Sequence, residues 1–223
     1  MKKVAIDGPS ASGKSTVAKG VAKALGFVYV DSGALYRGVT WNASRRGIDP
    51  ADAESVVRAM REAEWRFFVR DAGVAGFSVD GIEPTRELRE KPVREAVALV
   101  AAVPAVRDFV VERLRGLAEC GALVMEGRDI GTVVFPETPY KFYLDADPEE
   151  RAMRRYRELV SAGEREKAEE VLESLRRRDR IDSTRKAAPL KIATDARVVD
   201  TTGMTIDDVV GFIVNAVKGA GNE

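Results

Sequence analysis

Apolar residues follow two spacings in turn along this chain, and the alternation predicts strands interleaved with helices. Residues 4–7 form a short apolar strand that runs into glycine-rich sequence, and 15–25 follow with helical spacing closed by Gly26. A second strand is expected at 27–30, then a helix over 34–46 stopped by Gly47, and another over 53–64 behind Asp49 and Pro50. The pattern then changes. Residues 65–69 and 77–79 are aromatic and β-branched, divided by the turn-rich stretch 71–76, and Asp80-Gly81 adds a further hairpin signal before Ile82. This reads as a small antiparallel insertion.

Beyond Pro92 helical spacing returns, is interrupted at Pro104 and runs on to Ala118 ahead of Gly121. Residues 122–125 and 141–144 suit buried parallel strands, and Asp147-Pro148 is a helix start with Asp as cap and Pro in the first turn. A long charged helical region follows, then a last strand at 197–200 and a final helix capped by Thr205 and reaching Lys218. Strands alternating with helices imply an α/β fold, a parallel sheet flanked by helices on both faces. The 223 residues suit one domain and contain no internal repeat.

Lys plus Arg number 36 and Asp plus Glu number 36, so no global field draws the chain to nucleic acid or to a membrane surface, and anion binding must be local. A single cysteine, Cys120, excludes an internal disulfide and is expected to be a small buried hydrophobe. No apolar segment suggests export or insertion, which points to the cytoplasm. With no histidine present, Ser-His and Cys-His chemistry is excluded and a zinc site is hard to build. Carboxylates, arginines, lysine and a bound metal remain.

The run Gly8-Pro9-Ser10-Ala11-Ser12-Gly13-Lys14-Ser15 fits the G-x-x-x-x-G-K-S/T phosphate loop, with a strand before it and a helix after it. Backbone N–H groups of Gly8, Ser10, Ala11, Ser12, Gly13, Lys14, Ser15 and Thr16 would turn inward on the phosphates of ATP. Lys14 would reach the β and γ phosphates, and the Ser15 hydroxyl would ligate Mg²⁺.

Three further clusters suit a second anion. Ser32, Tyr36 and Arg37 follow the second strand at a helix start; Glu126, Arg128 and Asp129 follow another strand; Arg178, Asp182 and Arg185 recur at helical spacing on one face. Each alone also reads as a capped surface helix, a polar turn or a solvated charge face. Together with the phosphate loop they offer guanidinium groups to one acceptor.

The segments Ile6 to Ser10, Asp31 to Arg37, Glu126-Gly127-Arg128-Asp129-Ile130-Gly131-Thr132-Val133-Val134-Phe135-Pro136 and Arg178 to Arg185 resemble the bacterial cytidylate kinase family, in order over nearly the whole chain. The resemblance implies a P-loop nucleoside monophosphate kinase, with a monophosphate-binding insertion at about 38–103 and a short lid at about 151–168. It implies phosphoryl transfer from ATP to CMP and dCMP, serving pyrimidine nucleotide salvage and precursor supply, by a single-domain monomer of 223 residues. By position it assigns Arg37, Arg128 and Arg185 to the acceptor phosphate, Arg178 and Asp182 to the ribose, and Ser32, Arg107 and Asp129 to the base. A carboxylate at Asp129 accepts from the amino group of cytosine and repels the carbonyl of uracil. Arg107, on an amphipathic helix, equally suits a solvated surface position. Ala98 departs from the family, which carries a base-contacting serine there, and Glu126 stands where aspartate also occurs; either carboxylate would serve the metal, directly or through water.

Between residues 151 and 186 there are 12 Lys and Arg against 8 Asp and Glu. Arg151, Arg154 and Arg155 are therefore expected to close over the ATP phosphates, with Ser161-Ala162-Gly163 as hinge, although a solvated helical hairpin fits the same pattern. A kinase for UMP or another small acceptor, distinguished by Asp129, and a nucleotide-dependent switch or binding module, disfavoured by the lack of an N-K-x-D element and by the arginine-rich acceptor clusters, are the competing readings.

Overall fold

The computed structural model describes residues 1–161, 163–165 and 167–219. Five parallel strands form the central sheet: β1 (Lys3–Asp7), β2 (Val28–Asp31), β5 (Leu123–Gly127), β6 (Tyr140–Asp145) and β7 (Arg197–Asp200), in the order β2-β5-β1-β6-β7. Register pairs Val4 with Val124 and with Tyr140, so β1 lies at the centre.

Both faces of that strand are covered, which is why it reads as an unbroken apolar run rather than an alternating one. Ala5 faces one core with Val30, Leu123 and Met125, whereas Val4 and Ile6 face the other with Val124, Phe142 and Leu144. Helices α1 (Lys14–Leu25) and α8 (Ile206–Gly219) cover the second face. The first is covered by α2 (Ser32–Arg45), α3 (Ala53–Glu62), α4 (Lys91–Val100) and α5 (Pro104–Gly116), together with the hairpin of β3 (Trp65–Val69) and β4 (Ala75–Val79). Trp65 stacks among Phe67, Phe77 and Phe109, so the aromatic insertion is core packing.

Local chemistry moves several boundaries. Asp31 accepts from the Ala34 N–H at 3.0 Å, so α2 begins at Ser32 rather than at residue 34. Helix α3 stops at Glu62, two residues early, because Glu64 is drawn into the hairpin: its N–H donates to Asp80 and its carbonyl accepts from Asp80, both at 2.9 Å. Cys120 is exposed, contrary to expectation. It closes a 3₁₀ turn, Leu117–Cys120, in which Leu117 takes the buried position.

Helices α6 (Pro148–Ser161) and α7 (Ala168–Thr184) pack on each other through Ala152, Leu159, Val171 and Leu175, and Ala11 of the glycine-rich loop packs against this cluster. In the expected hinge, Ser161 ends α6 and Gly163 has φ 81°; Ala162 lies outside the described residues. Among the described residues no helix is long and apolar enough to cross a membrane.

Candidate active site

The loop between β1 and α1 demands glycine where the chain is tightest. A Cβ on Gly8 (φ 155°) would sit 2.2 Å from the Leu144 carbonyl oxygen, and Gly13 (φ 86°) caps α1 in the left-handed region. Lys14 is buried, and its ammonium group donates to the Pro9 carbonyl at 2.6 Å. Burial, with Arg128 nearby, pushes it down to about 7, against the pull of Glu126 and Asp182. The Ser12 hydroxyl is buried and unpaired among the described residues.

At the end of β5, Glu126 is buried, accepting from Ser15 Oγ at 2.5 Å and from the Tyr29 hydroxyl at 3.3 Å. Burial and Asp31 raise its pKa, while Lys14, the Ser15 hydrogen bond and Arg128 oppose them. Ser15 and Glu126 thus supply adjoining oxygen donors and no nitrogen or sulfur, a set that fits Mg²⁺. Its backbone carbonyl accepts from Ser32 Oγ at 2.7 Å, fixing the start of α2 against β5.

The acceptor-side arginines converge at the carboxyl ends of the strands, where ligands of open parallel sheets bind. Arg37 pairs with Asp31 at 2.7 Å, Arg128 Nε with Asp182 at 2.8 Å, and Arg185 reaches Asp182 at 3.5 Å and Asp129 at 3.9 Å. Arg107 forms a buried ion pair with Asp129 and lies over the Tyr36 ring, its Cζ 5.3 Å from the centroid. The surface reading of Arg107 is thereby overturned: a nearby buried carboxylate and the Ala101 carbonyl draw the guanidinium inward.

Cation faces cation across this cluster. Burial pushes Arg178 down to about 10, with Arg128, Arg37 and Arg155 adding to the effect against Asp182. Burial also lowers Arg128, but Asp182 and Glu126 outweigh it and its pKa rises. Among the described residues, buried guanidinium nitrogens of Arg37, Arg178 and Arg185 have no hydrogen-bond partner. Such donors are expensive unless an anion completes them.

A family model described as cytidylate kinase matches residues 4–219. The chain belongs to the cytidylate kinase family. A cytidylate kinase of Caldanaerobacter subterraneus subsp. tengcongensis is 44% identical over 97% of this chain and 94% of its own length; one of Limosilactobacillus reuteri is 46% identical over 96% and 94%. In fold, the chain is similar to an uncharacterized protein of Eubacterium ventriosum, with a TM-score of 0.54 at 10% identity over 98% of this chain and 99% of that one.

Within this cytidylate kinase family member, two site expectations change in detail. Arg185 does not share the helix face of Arg178 and Asp182: α7 ends at Thr184, and Arg185 is its extended cap, whose side chain turns back toward Asp182. The three lid arginines occupy different surroundings. Arg151 is buried beneath the loop, donating to the carbonyls of Ser10 (3.0 Å) and Ala146 (3.1 Å) and pairing with Asp179 at 2.6 Å. Arg154 pairs with Glu150 at 3.2 Å and donates to Thr201, and Arg155 pairs with Glu158 at 2.9 Å.

Four residues escaped the sequence reading of the site. Asp7 accepts the N–H groups of Ile130 (2.8 Å) and Gly131 (2.7 Å), holding the π-helical turn Ile130–Val134 behind Asp129. Tyr29 supports Glu126, Thr201 anchors Arg154, and Asp179 holds Arg151. An acidic residue ending a buried strand was the only visible signal for Asp7; Tyr29 and Thr201 gave none.

Proposed function

We propose that the protein transfers the γ-phosphoryl group of MgATP to CMP and dCMP, giving ADP with CDP and dCDP. Membership of the cytidylate kinase family supports the reaction, and one observation carries the site: a phosphate loop and a ring of under-satisfied arginines open onto the same end of the sheet. In this reading Lys14 leaves the Pro9 carbonyl for the ATP phosphates, and Arg37, Arg128 and Arg185 hold the acceptor phosphate. Arg178 and Asp182 hold the ribose, while Ser32, Tyr36, Arg107 and Asp129 frame the base.

A nucleotide monophosphate ionises with a second pKa of about 6, so the attacking oxygen needs no general base at neutral pH. The protein's task is to bring two anions in line and neutralise them. Ser15 and Glu126, the latter directly or through water, would hold Mg²⁺, which would supply charge neutralisation on the phosphates when bound. Arg154 and Arg155 add positive charge from the lid at about 151–168, and the insertion at about 38–103 moves with the acceptor. The protein acts as a monomer in the cytoplasm on small-molecule substrates.

ADP release from MgATP, measured with CMP, dCMP, UMP, AMP or no acceptor, tests the reading. Strong turnover with CMP and dCMP alone is expected. Equal hydrolysis without acceptor would mean that the loop is right and the acceptor site wrong.

A further inference from the structure

Asp179 belongs to neither group of substrate contacts, yet it stands between them. Its Oδ2 accepts from Arg151 at 2.6 Å, its Oδ1 accepts the Ser10 N–H at 3.4 Å, and the same Arg151 nitrogen donates to the Ser10 carbonyl. Both peptide groups flanking Ser10 are thus tied to one ion pair, with the Arg151 side chain 8% exposed. Three residues further along α7, on the same helix face, Asp182 accepts from Arg128 and Arg185 of the acceptor cluster. One turn of one helix therefore touches the donor loop and the acceptor arginines. Ala11, packed on the α6 and α7 cluster, adds an apolar contact along the same path.

We infer that Asp179 is a positioning residue that couples the two substrate sites, transmitting occupation of the Arg128 and Arg185 cluster through α7 and Arg151 to the Ser10 backbone. The inference rests on the assignment of donor and acceptor sites above. Closely packed side chains shift between discrete arrangements rather than deform smoothly, so repairing Asp182 when a phosphate takes its arginines displaces the helix turn that carries Asp179. Coupling of this kind is reciprocal: CMP tightens ATP binding by the factor by which ATP tightens CMP.

Calorimetric titration of the full chain with Mg²⁺ and the β,γ-imido analogue of ATP, with and without saturating CMP, tests this. Wild-type protein should bind the analogue at least about fivefold more tightly with CMP present. In Asp179→Asn that ratio should fall toward one while affinity without CMP changes less than the ratio does. Equal loss with and without CMP would overturn the inference, reducing Asp179 to a brace of the loop, and so would an unchanged ratio. Should Asp179→Asn fail to fold, Arg151→Met removes the one nitrogen that joins the Ser10 carbonyl to Asp179; an unchanged ratio there overturns the inference as well. A wild-type protein that binds both ligands without synergy also refutes it while leaving the site assignment standing. One that binds neither refutes the assignment itself.

Discussion

Arg107 and Asp129 meet as an ion pair with side chains 4% and 5% exposed, although 22 residues separate them in sequence. Two charges withdrawn from water this far stabilise the fold only while they remain together. Their place beside Tyr36 and Arg185 puts the pair at the base end of the acceptor site rather than in the apolar core.

Removing one partner should therefore be costly. Arg107→Met is expected to lower unfolding free energy by roughly 3 kcal/mol, the lower part of the range for a broken buried pair, because Arg185 remains 3.9 Å from Asp129. The double variant Arg107→Met with Asp129→Leu should recover part of that loss in urea denaturation. Asp129→Asn, which keeps shape without charge, should weaken CMP use more than UMP use. Parallel loss of both substrates would end the base-reading role of Asp129.

The tightest point of the donor loop yields a second expectation. Gly8 combines φ 155° with a Cβ position 2.2 Å from the Leu144 carbonyl oxygen, and that oxygen belongs to a central strand with no freedom to retreat. Gly8→Ala must displace the loop instead, and misplacement on the ångström scale costs about a hundredfold in rate. ATP-dependent turnover should drop by about that factor or more while far-UV circular dichroism stays unchanged. Near-normal turnover would show that the loop is not held in its active geometry by Leu144.

What the sequence made legible divides along sequence distance. Strands buried on both faces announce themselves as apolar runs, and the phosphate loop is contiguous, so β1, the glycines and α1 were readable in advance. Arg107 was ambiguous because its burial depends on Asp129, and the π-helical turn was invisible because Asp7, which holds it, lies 123 residues from Ile130. Asp179 stood inside a recognisable segment, but its partners Ser10 and Arg151 lie 169 and 28 residues away. A side chain's job there is set by the crossing of the chain, not by its neighbours in sequence.

Asp7 offers a pH test of that long-range contact. Burial is the largest influence on its carboxyl group and, with Asp129, outweighs the two N–H bonds from Gly131 and Ile130 and the attraction of Lys14, raising it from 3.8 to about 6. The folded protein therefore holds a proton that the unfolded chain has already released between about pH 4 and pH 6. Its contribution is fully present below the unfolded pKa and is lost as pH rises through the folded value, a change of roughly 3 kcal/mol at 1.36 kcal/mol per unit. Asp7→Asn cannot titrate, though it leaves one of the two N–H groups poorly matched at every pH. Urea denaturation across this range should show wild-type stability falling relative to the variant as pH rises, and levelling above about pH 6. A difference independent of pH would mean that the two N–H bonds, not burial, govern this carboxylate, and that the turn behind Asp129 is held by an anion throughout.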